Sequence, residues 1–155
     1  MMVFVPVAVA TALGLRAGQS LGSARGFAAT SGLRRGLGPA TDDEEAEFAA
    51  LSVAGVAALD GLAGSRRLVL AAEVADRQVT DRRTELGEVE VHDLGWALVQ
   101  ALFADEESAA GAVAAAAAAS SGAALPTAFG LPAVVELTDR HDLLWYAPEE
   151  LDGLR

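Results

Sequence analysis

Apolar and polar positions alternate with two different periods along the chain, and the change from one to the other marks out the elements. "VFVPV" (3–7) is β-branched and aromatic with Pro6 near its end, which predicts a first strand at or close to an edge. "AVATALGLRAGQSLG" (8–22) predicts a short helix that frays in glycines, with Gly14, Gly18, Gly22 and Gly26 recurring every fourth residue. "ARGFAAT" (24–30) predicts a second strand. The best-specified helix is expected over 42–63: Phe48, Leu51, Leu59 and Leu62 form an apolar stripe at helical spacing, and Gly61 and Gly64 supply its end. "TDDE" reads as a capping box from Thr41 to Glu44, and the acids from Asp42 to Glu45 crowd the positive end of the helix dipole.

"RRLVLAAEV" (66–74) is continuously apolar, the mark of an interior strand, and an arginine-rich loop follows it. "EVEVHDL" (88–94) alternates strictly, placing Val89 and Val91 on one face and Glu88, Glu90 and His92 on the other, as in a half-exposed strand. "WALVQALFA" (96–104) predicts a further strand, and Asp105 is read as the cap of an alanine-rich helix over 106–120. Residues 121–132 read as loop. "AVVEL" (133–137) fits a strand or a short helix, and "DLLWYA" (142–147) a strand stopped by Pro148. Leu143 and Trp145 would point one way along it, Leu144 and Tyr146 the other. Together these elements predict a single α+β domain over 1–155: a two-layer sandwich with a mixed sheet of about five strands and two or three helices.

Composition narrows the chemistry. A chain of 155 residues, 52% hydrophobic, is long enough to bury a core, and its apolar content is mostly alanine and leucine. Cysteine is absent, which removes disulfides, thiolate metal sites and thiol nucleophiles. Lysine is absent too, which removes the P-loop and Schiff-base chemistries. With asparagine and isoleucine also missing, the usage matches a GC-rich genome. The net charge of −11 argues against nucleic acid and anionic membranes as partners. The arginine pairs Arg34–Arg35, Arg66–Arg67 and Arg82–Arg83 read as surface partners for the surrounding acids. The apolar start lacks a basic region and is too short to span a bilayer, so a cytoplasmic protein is expected.

Candidate sites are few. "GQSLG" (18–22) matches the nucleophile-elbow pattern around Ser20, but it lies at a helix end and not between a strand and a helix. Two His–Asp pairs, His92–Asp93 and His141–Asp142, could bind metal or orient a base if they converged on further carboxylates. The acidic runs Asp42–Glu47, Asp105–Glu107 and Glu149–Asp152 lack calcium-loop spacing, and two of them sit where helix starts favour acids. No metal or cofactor site is assigned. Trp145 and Tyr146 either fill the core and cap the sheet or, with Trp96 and Glu150, contact a partner or ligand. On the first reading the stretch closes the fold, and truncating Trp145 would cost about 3–5 kcal/mol.

"VFVPVAVATALGL", "DDEEAEFAAL", "RRLVLAAEV" and the closing "HDLLWYAPEEL" together resemble a family of small uncharacterised actinobacterial proteins with an L-L-W-Y-x-x-x-E-L ending. The glycine-rich segment 14–26 departs from that pattern. The resemblance implies a bacterial cytosolic protein and carries no activity or functional residues. A non-enzymatic accessory or interaction protein, with a protein partner or as a homo-oligomer, is the expected function. The alternative is a small enzyme or ligand-binding protein using His92, Asp93, His141 and Asp142.

Overall fold

The computed structural model describes all residues 1–155. Its centre is one sheet of seven strands, every neighbouring pair antiparallel. The strands are β1 (Met2–Pro6), β2 (Leu21–Phe27), β3 (Leu68–Glu73), β4 (Val79–Asp81), β5 (Glu88–Leu94), β6 (Val99–Ala104) and β7 (Leu144–Tyr146). Their order across the sheet is β4-β5-β2-β1-β3-β6-β7. The α-helices are α1 (Val9–Arg16), α2 (Ser31–Leu37), α3 (Asp43–Ala57), α4 (Ala110–Ser120), α5 (Leu125–Ala128) and α6 (Pro132–Arg140). Short 3₁₀ turns occupy Asp76–Gln78, Trp96–Leu98, Glu107–Ala109 and Pro148–Leu154.

The expected two-layer sandwich with a mixed sheet of about five strands and two or three helices is therefore corrected, although the class remains α+β. The sheet is purely antiparallel, and its middle is covered on both faces. Along β1, Val3 and Val5 point into a core with Ala12 and Leu15 of α1 and with Leu151 and Leu154 of the final 3₁₀ turn. Phe4 between them points the other way, into a core with Leu33 of α2 and Ala50, Leu51 and Ala54 of α3. The continuously apolar β3 divides likewise, Leu68, Leu70 and Ala72 against Val69 and Ala71. A strand buried on both faces needs this unbroken apolar run. A third, smaller cluster joins the end of α3 (Val56) and Leu59 just beyond it to α4, α5 and α6.

Several local readings shift. The helix expected over 42–63 ends at Ala57. It is capped one residue later than read: the Asp42 carboxylate accepts from the Glu45 amide at 2.8 Å, and the Glu45 carboxylate accepts from the Asp42 amide at 3.1 Å. Asp42→Ala should then lower the unfolding free energy by about 1 kcal/mol. Thr41→Ala should stay within about 0.5 kcal/mol in the same urea titration, and equal losses would contradict the assignment.

Residues 133–137 belong to helix α6, and 96–98 form a 3₁₀ turn ahead of β6. The arginine-rich loop conceals β4, three residues that pair with β5 through Thr80 opposite Glu90. Asp105 caps nothing. It is fully buried and receives the Arg67 side chain, Nε to Oδ2 at 3.0 Å and a terminal guanidinium nitrogen to Oδ1 at 2.7 Å. The Arg67 amide also donates to Oδ2 at 2.8 Å, and the guanidinium reaches the Gly55 carbonyl of α3 at 3.4 Å. One arginine of the pair read as surface thus ties the start of β3, the end of β6 and α3 together.

Candidate functional site

The two His–Asp pairs do not meet. His92 lies on β5, where its Nε2 is 3.0 Å from the Thr80 hydroxyl on β4. Asp93 beside it has a left-handed backbone, φ 52°, a conformation aspartate tolerates better than most residues, and the Gln78 side-chain Nε2 donates to the His92 carbonyl at 3.1 Å. His141 follows α6, with Nδ1 3.2 Å from the Glu106 carboxylate, just before β7 at the opposite side of the sheet. Four strands separate β5 from β7, roughly 24 Å at the usual strand spacing. The shared metal or acid–base site considered for these residues cannot form within one chain. No group of three or more His, Asp or Glu side chains is placed to hold a metal ion. Ser20 follows α1, at the turn into β2, and its hydroxyl donates to the Leu94 carbonyl at 3.3 Å, a structural role.

The polar groups around these histidines explain the shifted carboxylates. Glu106 is held below its usual value by its hydrogen bond with His141 and then by one with Ser108. Glu90 is lowered first by its hydrogen bond from Ser23 on β2, with the Arg82 and His92 charges adding to it. Both are solvent-exposed arrangements on the surface of the sheet and its connections.

The aromatic candidates separate. Trp96 and Tyr146 are half-buried against the core on the α1 side. Glu150 accepts from the Ala147 amide at 2.7 Å and so fixes the start of the last 3₁₀ turn. Trp145 lies opposite Phe103 of β6, on the α3 side of the sheet, and is 61% exposed. The expectation that it fills the core is overturned, and with it the large stability loss on truncation. β7 is the outermost strand, and α3 packs across β1, β2 and β3 in the middle of the sheet, which leaves Trp145 largely uncovered.

Exposed apolar side chains recur nearby. Phe48, read as part of the buried stripe of α3, is 67% exposed. It stands between two depressions. On one side, Leu37 at the end of α2, itself 43% exposed, meets Phe48 over a floor edged by Thr41, Glu44 and Glu45. On the other, Phe48 shares a hollow of about 90 Å³ with Leu51, Thr138, His141, Asp142 and Leu143. Two residues further on, and on the same side of the strand by alternation, stands Trp145. Leu37, Phe48 and Leu143 thus line two adjoining depressions edged by Glu44, Glu45 and Asp142, and Trp145 stands exposed two residues beyond Leu143.

Sequence reasoning placed Phe48 inside because the helical period alone does not say how wide the covered stripe is. The signal available was Ala46, Ala50, Val53, Ala54 and Ala57, a complete small-residue stripe that faces the core and leaves Phe48 off it. Neither a curated protein nor a solved structure matches the chain. A family model described as "Family of unknown function (DUF6912)" matches residues 1–154, and the chain belongs to that family.

Proposed function

We propose that this is a non-enzymatic interaction protein that docks a partner protein on the surface around Phe48 and Trp145. The observation that carries the reading is the pair of large aromatics at 67% and 61% exposure, on a molecule whose other large apolar residues are mostly buried. Exposed aromatics beside shallow depressions, rimmed by charge, are the usual anchors of a protein interface. The rim sets the partner's chemistry. Glu44, Glu45 and Asp142 border the surface of a chain with net charge −11, so the partner presents an apolar anchor flanked by basic residues. A second copy would bring the same acids face to face, which disfavours self-association through this face.

The lack of lysine, asparagine and isoleucine and the L-L-W-Y-x-x-x-E-L ending support an actinobacterial origin, and we assign the protein to the cytoplasm. No helix is long and apolar enough to cross a membrane.

The test uses a synthetic amphipathic peptide with leucine anchors and flanking arginines, titrated into the isotope-labelled protein and followed by NMR. Shifts should cluster at Leu37, Phe48, Leu143 and Trp145. An otherwise identical peptide with glutamates in place of the arginines should bind at least about tenfold more weakly, and Phe48→Ala should weaken the basic peptide by about tenfold or more while leaving the melting temperature nearly unchanged. Equal shifts with both peptides, shifts elsewhere, or a dimer that dissociates in Phe48→Ala would each overturn the reading.

A further inference from the structure

At the other end of α3 lies a cavity of about 300 Å³ that has no part in the docking surface. It opens where four pieces of chain converge: the end of β1 with the start of α1, the end of α3, the loop 60–66, and the last residues. Three of the eleven arginines, Arg25, Arg66 and Arg155, line it, against a single acid, Asp60. Each of the three is paired with a carboxylate, Glu88, Glu107 and Asp152 in turn, so what the cavity offers is not net positive charge but guanidinium donors left unfilled.

The arginines are not used up by their neighbours. The Arg66 side chain is 13% exposed and reaches Glu107 through one terminal nitrogen at 3.1 Å. A guanidinium has five donors. Arg155 touches Asp152 at 3.3 Å, but Arg16 already holds that carboxylate with two hydrogen bonds at 2.8 and 3.1 Å. Arg25 is the fixed wall: it pairs with Glu88 at 3.1 Å and lies 5.3 Å over the Phe27 ring.

The backbone adds donors of its own. In the loop "DGLAGS" (60–65), the amides of Ala63, Gly64 and Ser65 donate to no backbone carbonyl. Gly61 and Gly64 take φ of 65° and 148°, conformations that favour glycine and let the loop turn tightly beside the cavity. Ala8 and Val9, at the start of α1, also line it, and Ala8 offers no side-chain cap to the first turn. An anion at this point would meet the uncapped positive end of a helix.

We propose that this cavity binds the phosphate group of a small organic molecule. The guanidinium of Arg66, with that of Arg155 at the rim, the free loop amides and the start of α1 would hold the phosphoryl oxygens. Val7, Leu62 and Leu154 would line the space for a compact apolar body. A phosphate is favoured over a carboxylate because the donors come from several directions, and a tetrahedral group can use them all.

The experiment titrates inorganic phosphate, phenyl phosphate and benzoate into the protein and follows amide shifts. Saturable shifts are expected at residues 8–10 and 61–66 with phosphate and phenyl phosphate, phenyl phosphate binding more tightly because its ring fills the apolar part. Benzoate should bind at least about tenfold more weakly than phenyl phosphate. Arg155→Ala, a change at an exposed side chain that leaves the fold intact, should weaken phenyl phosphate several-fold. Arg66→Gln should do so by about tenfold or more, with the amide spectrum of the rest of the chain confirming its fold. Arg77→Ala, at an exposed arginine outside the cavity, should change nothing. The proposal falls if phenyl phosphate gives no saturable shift in the millimolar range, if benzoate binds as well, or if Arg155→Ala and Arg66→Gln both bind like the parent.

Discussion

Asp105→Ala is expected to lower the unfolding free energy by about 3–5 kcal/mol, among the largest losses available from a single polar side chain here. The Arg67 side chain is 3% exposed and the Asp105 side chain 0%. Removing the carboxylate leaves a guanidinium with the Gly55 carbonyl as its remaining hydrogen-bond partner, at 3.4 Å, and strips the Arg67 amide of its acceptor. A buried charge without a counter-charge is what makes the loss large. Replacing both members by apolar residues should therefore recover much of it. Urea titrations of Asp105→Ala, Arg67→Met and the double variant Arg67→Met with Asp105→Leu decide the matter. A loss below about 1 kcal/mol for Asp105→Ala would show that water reaches the pair and that it does not lock β3 to β6.

Gly87→Ala should be nearly as damaging, for steric reasons and not electrostatic ones. Gly87 has φ 75°, and a Cβ there would lie 2.4 Å from the Ala28 carbonyl oxygen, with Leu33 side-chain atoms at 3.2 and 3.3 Å. Backbone cannot swing aside as a flexible side chain can. The Gly87 carbonyl also accepts from the Ala28 amide at 2.9 Å, so any shift breaks the stitch between the end of β2 and the start of β5. A loss above about 2 kcal/mol is expected. Gly122→Ala is the control: φ is 72°, yet nothing lies within 4 Å of its Cβ. Its loss should be about 1 kcal/mol, the conformational share alone. If the two substitutions cost the same in thermal unfolding, the crowding at Gly87 has been relieved and the local packing described for it is wrong.

The parts of this fold that were legible in the chain are those whose side chains record their surroundings directly. Strict alternation in 88–94 left Val89 and Val91 buried, and the unbroken apolar run 68–72 became the doubly covered part of β3. What was illegible depended on distant partners. "VTD" (79–81) is a strand only because β5 lies beside it. α2, with two glycines and two arginines in seven residues, is a helix held by the Thr30 hydroxyl accepting from the Leu33 amide at 3.2 Å. The closing "PEELDGL" was read only for its acidic run Glu149–Asp152, yet Leu151 and Leu154, three apart, are the buried stripe of a 3₁₀ turn. That missed turn supplies part of the second helical cover, which is why a two-layer arrangement was expected. Of the candidate surface, Trp145 stood among the contact candidates, but Phe48 did not, because the helical period put it inside the apolar stripe of α3. Trp145 owes its exposure to β7's place at the edge, a property of strand order and not of the sequence around it.

Both margins of the sheet are strands of only three residues, β4 and β7. An arriving chain would find room for two or three ladder hydrogen bonds before the margin curves into a turn, too few to offset the ordering of its own backbone. Beside β4, Arg82 and Arg83 follow Asp81, so charge guards that side as well. A sheet this wide could in principle keep growing from molecule to molecule. Trimming its margins lets the chain carry exposed aromatics without also offering a template for fibrils.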